Sequence, residues 1–330
     1  MAHVPVMLPE VITALRPSDG EIYVDGTFGG GGYALRVLEA ANCHLYGIDR
    51  DFDAISRAEA LSEKEPRLMP LLGRFGDMDA LMINAGVDAV DGVMLDIGVS
   101  SFQIDQSGRG FSFMRDGPLD MRMGQTGPSA QDVVNQMTAN DLTSIIRQLG
   151  EERQAKRIAH AIVTQRTDAP FESTLQLATC VEHAVGGRRG KKTHPATLTF
   201  QAIRMFVNDE LGELARGLAA AERLLRAGGR LVVVTFHSLE DRLVKQFMRA
   251  RAGFTAGASR YMPEAAKGPD PSFELKQRKA LEPSDAETAT NPRARSARLR
   301  VAVRTPAQAW TDPVETGFRL PSLDMVEAAS

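Results

Sequence analysis

Short apolar runs recur along the first hundred residues, each closing on an acidic or glycine-bearing turn and opening into a helical pattern. Ile22-Tyr23-Val24-Asp25 leads into a glycine loop and then into Tyr33 to Leu38, which carry helical spacing. His44 to Asp49 precedes a segment with Ala54, Ile55, Ala58 and Leu61 on one face. A weaker run, Leu68 to Leu72, ends at Gly73-Arg74-Phe75, and Gly92 to Asp96 forms the fourth. Runs of this length bounded by turn signals predict buried strands, and their alternation with helical patterns predicts a parallel sheet.

The fifth strand is far away. Gly228-Gly229 reads as a helix stop opening the β-branched run Arg230 to Phe236. About 130 residues separate it from Asp96, whereas a parallel crossover needs only about a dozen, usually one helix. The interval reads as helices at 142–149, 155–165 and 175–185, with one long pattern from about 196 to 225. A helix at 239–252 and a half-exposed strand at 298–304 complete the pattern. The expectation is an α/β fold with a Rossmann-like, mostly parallel sheet and a small inserted helical domain. Its parts are a sheet domain at 1–105 and 211–305, an insertion at 106–210, and a loosely ordered tail at 306–330.

Composition narrows the class. Hydrophobic residues make up 43% and charged residues 25% of the 330, the balance of a folded soluble chain. A net charge of −3 announces no nucleic-acid partner, so any such surface must be a local patch. Cys43 and Cys180 make no CxxC pair, which excludes a cysteine-based zinc motif and suits a reducing compartment. No metal site is expected. No basic start with an apolar core is seen, nor a run of the roughly 20 apolar residues that spans a bilayer, so a cytosolic protein without a membrane partner is expected.

The turn Asp25-Gly26-Thr27-Phe28-Gly29-Gly30-Gly31-Gly32 follows a strand and opens a helix, where glycines let the backbone approach a ligand closely. Asp49 lies about 20 residues beyond Gly29, at the end of the second strand, where a carboxylate binds ribose hydroxyls. Both a dinucleotide and S-adenosylmethionine present a ribose, so this pair leaves a dehydrogenase open. Asp25 tilts the choice, because a carboxylate ahead of the glycines suits a methionine ammonium and repels a pyrophosphate. Ligands of open α/β sheets lie outside the carboxyl ends of the strands. Asp96 at the fourth end therefore reaches the same crevice as Asp25 and Asp49, although a capping role is the plainer alternative.

Several long motifs coincide with this layout. They are Asp25 to Gly29, Leu95 to Ser101, Arg109 to Phe113, Asp116 to Met123, Gly150 to Arg153 with Ala155 to Ile158, His194 to Thr197, Phe236 to Arg242, and Asn291 to Ser296. Together they resemble the RsmH, or MraW, family of bacterial 16S rRNA cytosine-N4 methyltransferases, over nearly all of residues 1 to 305. The resemblance implies a class I S-adenosylmethionine-dependent fold whose inserted domain recognises substrate. It implies cofactor contacts at Gly31, Gly32, Tyr33, Asp49, Phe75, Asp96 and Gln103, to which the residues themselves add Asp25 and Gly29. The family usually has His where this chain has Tyr33; a backbone contact survives that change and an imidazole role does not.

The implied substrate is a decoding-centre cytidine of 16S rRNA within the small ribosomal subunit. Its exocyclic amine is a poor nucleophile, because the lone pair is delocalised into the ring. Accepting hydrogen bonds from the amine and holding it in line with the methyl sulfonium favours transfer, and a stacked base must be flipped out at a cost of a few kcal/mol. Asp96 is the first candidate to accept from the amine or take its proton; His237 and Ser238, after the fifth strand, are candidates for the same crevice. RNA contacts are expected from Arg188, Arg189, Lys191 and Lys192 in a glycine-flanked loop, and from Arg293, Arg295 and Arg298. A non-catalytic assembly factor that binds cofactor and RNA, or a methyltransferase on another nucleic-acid amine, shares these features.

Overall fold

A computed structural model describes residues 5–124, 126–188, 190, 193–254 and 269–326. The chain forms two compact units, one of Met1–Gly98 with Leu211–Thr316, the other of Val99–Glu210 with Gly317–Ser330.

The first unit is built on a seven-stranded sheet: β1 Ile22–Asp25, β2 His44–Asp49, β3 Leu68–Leu72, β4 Val90–Asp96, β5 Leu225–Thr235, β6 Phe273–Glu274 and β7 Arg298–Arg304. Their order in space is β3-β2-β1-β4-β5-β7-β6. The first five run parallel, and β7 is antiparallel to both β5 and β6. Tyr23, Val24, Leu45, Ile48, Val93 and Leu95 are buried, as expected where helices cover both faces of a parallel sheet. The register sets Asp25 beside Met94 on β4 and Gly47 on β2. The chain switches direction across the sheet between β1 and β4, so the carboxyl ends of these two strands open a crevice at that point.

Three sequence expectations are corrected here. The helical pattern from 196 to 225 is two helices, Thr197–Val207 and Glu210–Leu224, broken where Asp209 adopts φ 47. Buried Asn208 fixes the break: its Oδ1 accepts from Met123 N at 2.8 Å, and its Nδ2 donates to Met121 O at 2.8 Å. The Gly228-Gly229 pair does not stop a helix. The helix ends at Leu224, Leu225 already pairs with Val90, and the glycines sit in an irregularity before Arg230 pairs with Gly92. Beyond Pro306 the backbone is irregular but anchored. Trp310 N donates to Glu222 Oε1 at 3.0 Å and Trp310 Nε1 to Asp270 O at 2.9 Å, while Arg251 reaches Asp312 O at 2.9 Å.

Glu222 organises that anchor. It is buried and accepts from Arg251 Nε at 2.8 Å and Ser272 Oγ at 2.5 Å, while the Arg251 guanidinium lies 4.6 Å from the Trp310 ring. A buried carboxylate is tolerated only when paired and hydrogen-bonded in this way.

The second unit is helical: Ser101–Asp105, Ala130–Gln136, Ala139–Gly150, Ala155–Asp168, Thr174–Val185 and Thr197–Val207. It begins at Val99, ahead of the expected 106, since Ser100 caps the first helix in a reciprocal box with Gln103. Leu142, Ile145, Ile146, Leu149, Ile158, Ile162, Leu177 and Val181 recur at helical spacing and are buried. Arg319 O accepts from Gln148 Nε2 at 2.7 Å, which ties the chain end to this unit. Among the described residues no helix is long and apolar enough to cross a membrane.

Candidate functional site

The carboxyl ends of β1, β2, β4 and β5 carry the polar residues of the crevice in the first unit. After Asp25 the chain turns through Gly26-Thr27-Phe28, and Gly29 and Gly31 take φ 53 and 76. A side chain at Gly31 would lie 2.6 Å from the Phe28 ring as well as in a left-handed conformation, so only glycine fits there. Phe28 is held down by its N–H to Ile48 O at 3.0 Å, and its ring lies against Gly47, where a Cβ would sit 2.5 Å away. The turn is thus clamped to the sheet, with helix Gly32–Ala40 starting behind it.

Asp49 braces the turn from β2. Its Oδ2 accepts from Gly29 N at 2.8 Å and its Oδ1 from Asp51 N at 2.9 Å. Each oxygen keeps a further lone-pair direction, which leaves room for a hydroxyl partner. Asp25 is buried and its Oδ1 accepts from Thr27 N at 3.1 Å, while its Oδ2 is buried with no hydrogen-bond partner among the described residues. Burial, with the charge of Asp49 added, raises the Asp25 carboxyl to about 7. Asp96 repeats the arrangement on β4: its Oδ1 is buried without a hydrogen-bond partner among the described residues, and burial, then Asp25, then Glu240 raise it to about 8. No lysine or arginine acts on either carboxyl among the described residues. Two such acids with open oxygens and no protein cation make a site suited to a cationic ligand or to an N–H donor.

Two residues that sequence reasoning did not single out fix the backbone around this pair. Thr27 Oγ1 accepts from Asp96 N at 2.7 Å. Glu240 is buried and its Oε2 accepts from Phe236 N at 2.9 Å and His237 N at 3.2 Å, which fixes the turn after β5. The three-residue spacing from His237 to Glu240 at a helix start is a capping-box signature and was the available signal.

The remaining candidates fall as follows. Tyr33 is buried, and its hydroxyl donates to Val6 O. Burial, followed by the charges of Asp96 and Asp25, pushes that hydroxyl well above the usual phenol range. Gly32 faces Pro5, whose Cγ would lie 2.3 Å from an added Cβ. Phe75 is half-buried against Gly217, whose added Cβ would sit 2.4 Å from the ring. His237 caps helix Ser238–Arg251, with Nδ1 accepting from Leu239 N at 3.4 Å, and Ser238 is exposed at its first position. Gln103 belongs to the second unit, where its side chain accepts from Ser100 N at 3.0 Å.

Of the basic residues, Arg188 is exposed and pairs with Glu182 at 3.4 Å in the second unit. Arg189, Lys191 and Lys192 lie outside the described residues. Arg293 and Arg295 are exposed on the turn Pro292–Ser296, and Arg298, half-buried at the start of β7, pairs with Glu282 at 3.3 Å. Among the described residues no group of three or more His, Cys, Asp or Glu side chains is placed to hold a metal ion.

A parallel sheet ordered 3-2-1-4-5-7-6 with β7 reversed, opening on a glycine turn and acidic strand ends, defines a class I methyltransferase fold. The model of the MraW methylase family matches residues 1–305, and the chain belongs to that family, whose methyl donor is S-adenosylmethionine. It is 65% identical over 325 residues to the ribosomal RNA small subunit methyltransferase H of Hyphomonas neptunium, covering 98% of this chain and 95% of that protein. The proteins of the same name from Maricaulis maris and Rhodospirillum rubrum are 53% and 54% identical. They cover 99% and 94% of this chain and 98% and 96% of their own lengths.

Proposed function

We propose that this protein transfers a methyl group from S-adenosylmethionine to the N4 exocyclic amine of a decoding-centre cytidine in 16S rRNA of the small ribosomal subunit. The observation that carries the reading is the buried pair Asp25 and Asp96, each with an open carboxylate oxygen at adjacent strand ends. The names of the relatives support the small-subunit rRNA substrate, and the motif resemblance supports the cytidine amine.

The residues present fit the cofactor. Asp25 Oδ2, buried and unsatisfied, matches the ammonium of a methionine moiety. Asp49 has lone pairs left for ribose hydroxyls, and the turn through Gly29, Gly31 and Gly32 offers backbone groups to the cofactor. Phe75 offers a ring to the adenine, and Tyr33 lies at the edge of the glycine turn. When bound, the cofactor supplies an activated methyl on a sulfonium. Asp96 accepts a hydrogen bond from the cytidine amine, draws its lone pair out of ring conjugation, and takes the proton that methylation releases. The Thr27 hydroxyl, bonded to the Asp96 backbone N–H, keeps that acceptor in place, and Glu240 fixes the neighbouring turn. His237 sets the turn beside it. Arg188, Arg189, Lys191 and Lys192, with Arg293, Arg295 and Arg298, bind RNA phosphates.

Mapping N4-methylcytidine in small-subunit rRNA from a strain lacking the gene, with and without this chain restored, tests the reading. The modification should vanish and return. Asp96→Ala should restore protein but not the mark, whereas full modification by that variant overturns the role of Asp96. Neutralising the four residues of the 188–192 loop should reduce RNA affinity and flatten its salt dependence, which separates a phosphate-contacting loop from a solvated one.

A further inference from the structure

We propose that Asp25 couples cofactor binding to the protonation of Asp96: before the cofactor binds, the pair of carboxyls retains a proton, and the arriving cation displaces it, so that Asp96 becomes an acceptor only in the loaded enzyme. This rests on the proposed role of Asp96.

The geometry supplies three supports. The two side chains stand at the ends of paired strands, with Asp25 opposite Met94, two residues before Asp96. Thr27 joins them, since its N–H donates to Asp25 and its hydroxyl accepts from the Asp96 backbone. Each carboxyl keeps one buried oxygen without a hydrogen-bond partner among the described residues. The surrounding groups add negative charge only. Asp49 on β2 acts on Asp25; Glu240, on the helix after β5, acts on Asp96; and the Tyr33 hydroxyl, on the helix behind the glycine turn, feels both. Among the described residues no lysine or arginine opposes them. Two buried like charges without a counter-ion do not both ionise; one group keeps its proton, and the pair titrates as a unit.

A ligand carrying an ammonium and a sulfonium supplies the missing countercharge. Binding then frees one proton to solvent and leaves two carboxylates, with no bond made or broken elsewhere. The consequence is an order of events: without cofactor a protonated Asp96 offers the target amine no full acceptor, and with cofactor it does. This ties acceptance of the nucleobase amine to the presence of the methyl donor.

Titration calorimetry without RNA tests this independently of any methyl transfer. S-adenosylmethionine is titrated at pH 7.0 into the full-length protein in three buffers of different ionisation enthalpy, and the slope of heat against ionisation enthalpy counts the protons. Wild type should release at least about 0.5 proton per cofactor, because displacement leaves both carboxyls ionised. Asp96→Asn should release less than half as much, and Asp25→Asn/Asp96→Asn none, while both keep the wild-type far-UV dichroism. S-adenosylhomocysteine, which lacks the sulfonium charge, should release fewer protons than S-adenosylmethionine. Release below about 0.1 proton in wild type, or release undiminished in Asp96→Asn, overturns the proposal. Loss of methylation in Asp96→Ala with no proton release would leave the acceptor role standing and remove only the coupling.

Discussion

Thr27 accepts the backbone N–H of Asp96 through its hydroxyl at 2.7 Å, joining the glycine turn to the end of β4. Thr27→Val keeps the shape and leaves that buried N–H without an acceptor, at a cost of about 1–3 kcal/mol. Urea unfolding should show the loss, and calorimetry should show weaker S-adenosylmethionine binding. Thr27→Ser should recover most of both. A Thr27→Val protein as stable as wild type would mean that Asp96 is held by β4 alone.

Tyr33 hydrogen-bonds to the Val6 carbonyl and so ties the segment before helix Leu8–Leu15 to the helix behind the glycine turn. Tyr33→Phe retains the packing and loses about 1 kcal/mol. The cofactor KM should rise more than kcat falls, since the hydroxyl makes a structural bond at the edge of the turn. An equal fall in kcat with KM unchanged would assign the hydroxyl to the chemistry instead.

Stability should depend on pH in an unusual direction. Folded Asp25 and Asp96 stand at about 7 and about 8 against an ordinary 3.8, so above pH 3.8 the folded protein binds more protons than the unfolded chain. Cofactor-free protein should therefore lose stability as pH rises from about 5 to 8, and level off above that. Asp96→Asn should flatten the slope. Melting temperatures across that window decide it, and a midpoint that rises with pH contradicts the pair.

Gly217 lies under the Phe75 ring, and Gly217→Ala puts a carbon 2.4 Å from it. The ring must move, costing about 1–3 kcal/mol. S-adenosylhomocysteine affinity should drop with it. Unchanged affinity alongside lowered stability would take Phe75 out of the adenine contact.

Arg251→Ala strips the buried Glu222 of its ion pair and of the cation over Trp310. A loss of about 3–5 kcal/mol is expected, the range for removing one partner of a buried pair. Proteolysis should then cut within 306–316 before the rest of the chain. Resistance equal to wild type would show that Trp310 is held without Arg251.

The features legible in the sequence were those written in local pattern. β1, β2 and β4 are continuous apolar runs because both faces are covered, and their acidic ends mark the crevice. The break at Asn208–Asp209 was hidden because Phe206, Leu211, Leu214 and Leu218 continue the helical period across it. It is made by hydrogen bonds from Asn208 to Met121 and Met123, some 85 residues away. The anchored tail was equally unreadable, since its order comes from Arg251 and Glu222 rather than from its own residues. At the site, Asp25, Asp49 and Asp96 were visible as strand ends. Thr27 was not, because its hydroxyl acts on a backbone group that no side-chain pattern records, whereas Glu240 was marked only by its capping-box spacing from His237.

The separation of β4 from β5 bears on how the chain is made. β4 gains its neighbour β1 early in translation, but the partner of its other edge, Leu225–Thr235, is synthesised roughly 130 residues later, about 6–26 s at ordinary ribosome speeds. Through that interval a strand of the sequence Val-Asp-Gly-Val-Met-Leu-Asp presents an unpaired apolar edge. The nascent chain is then most exposed to aggregation and to capture by chaperones, and slow codons inside the helical insertion would lengthen that exposure.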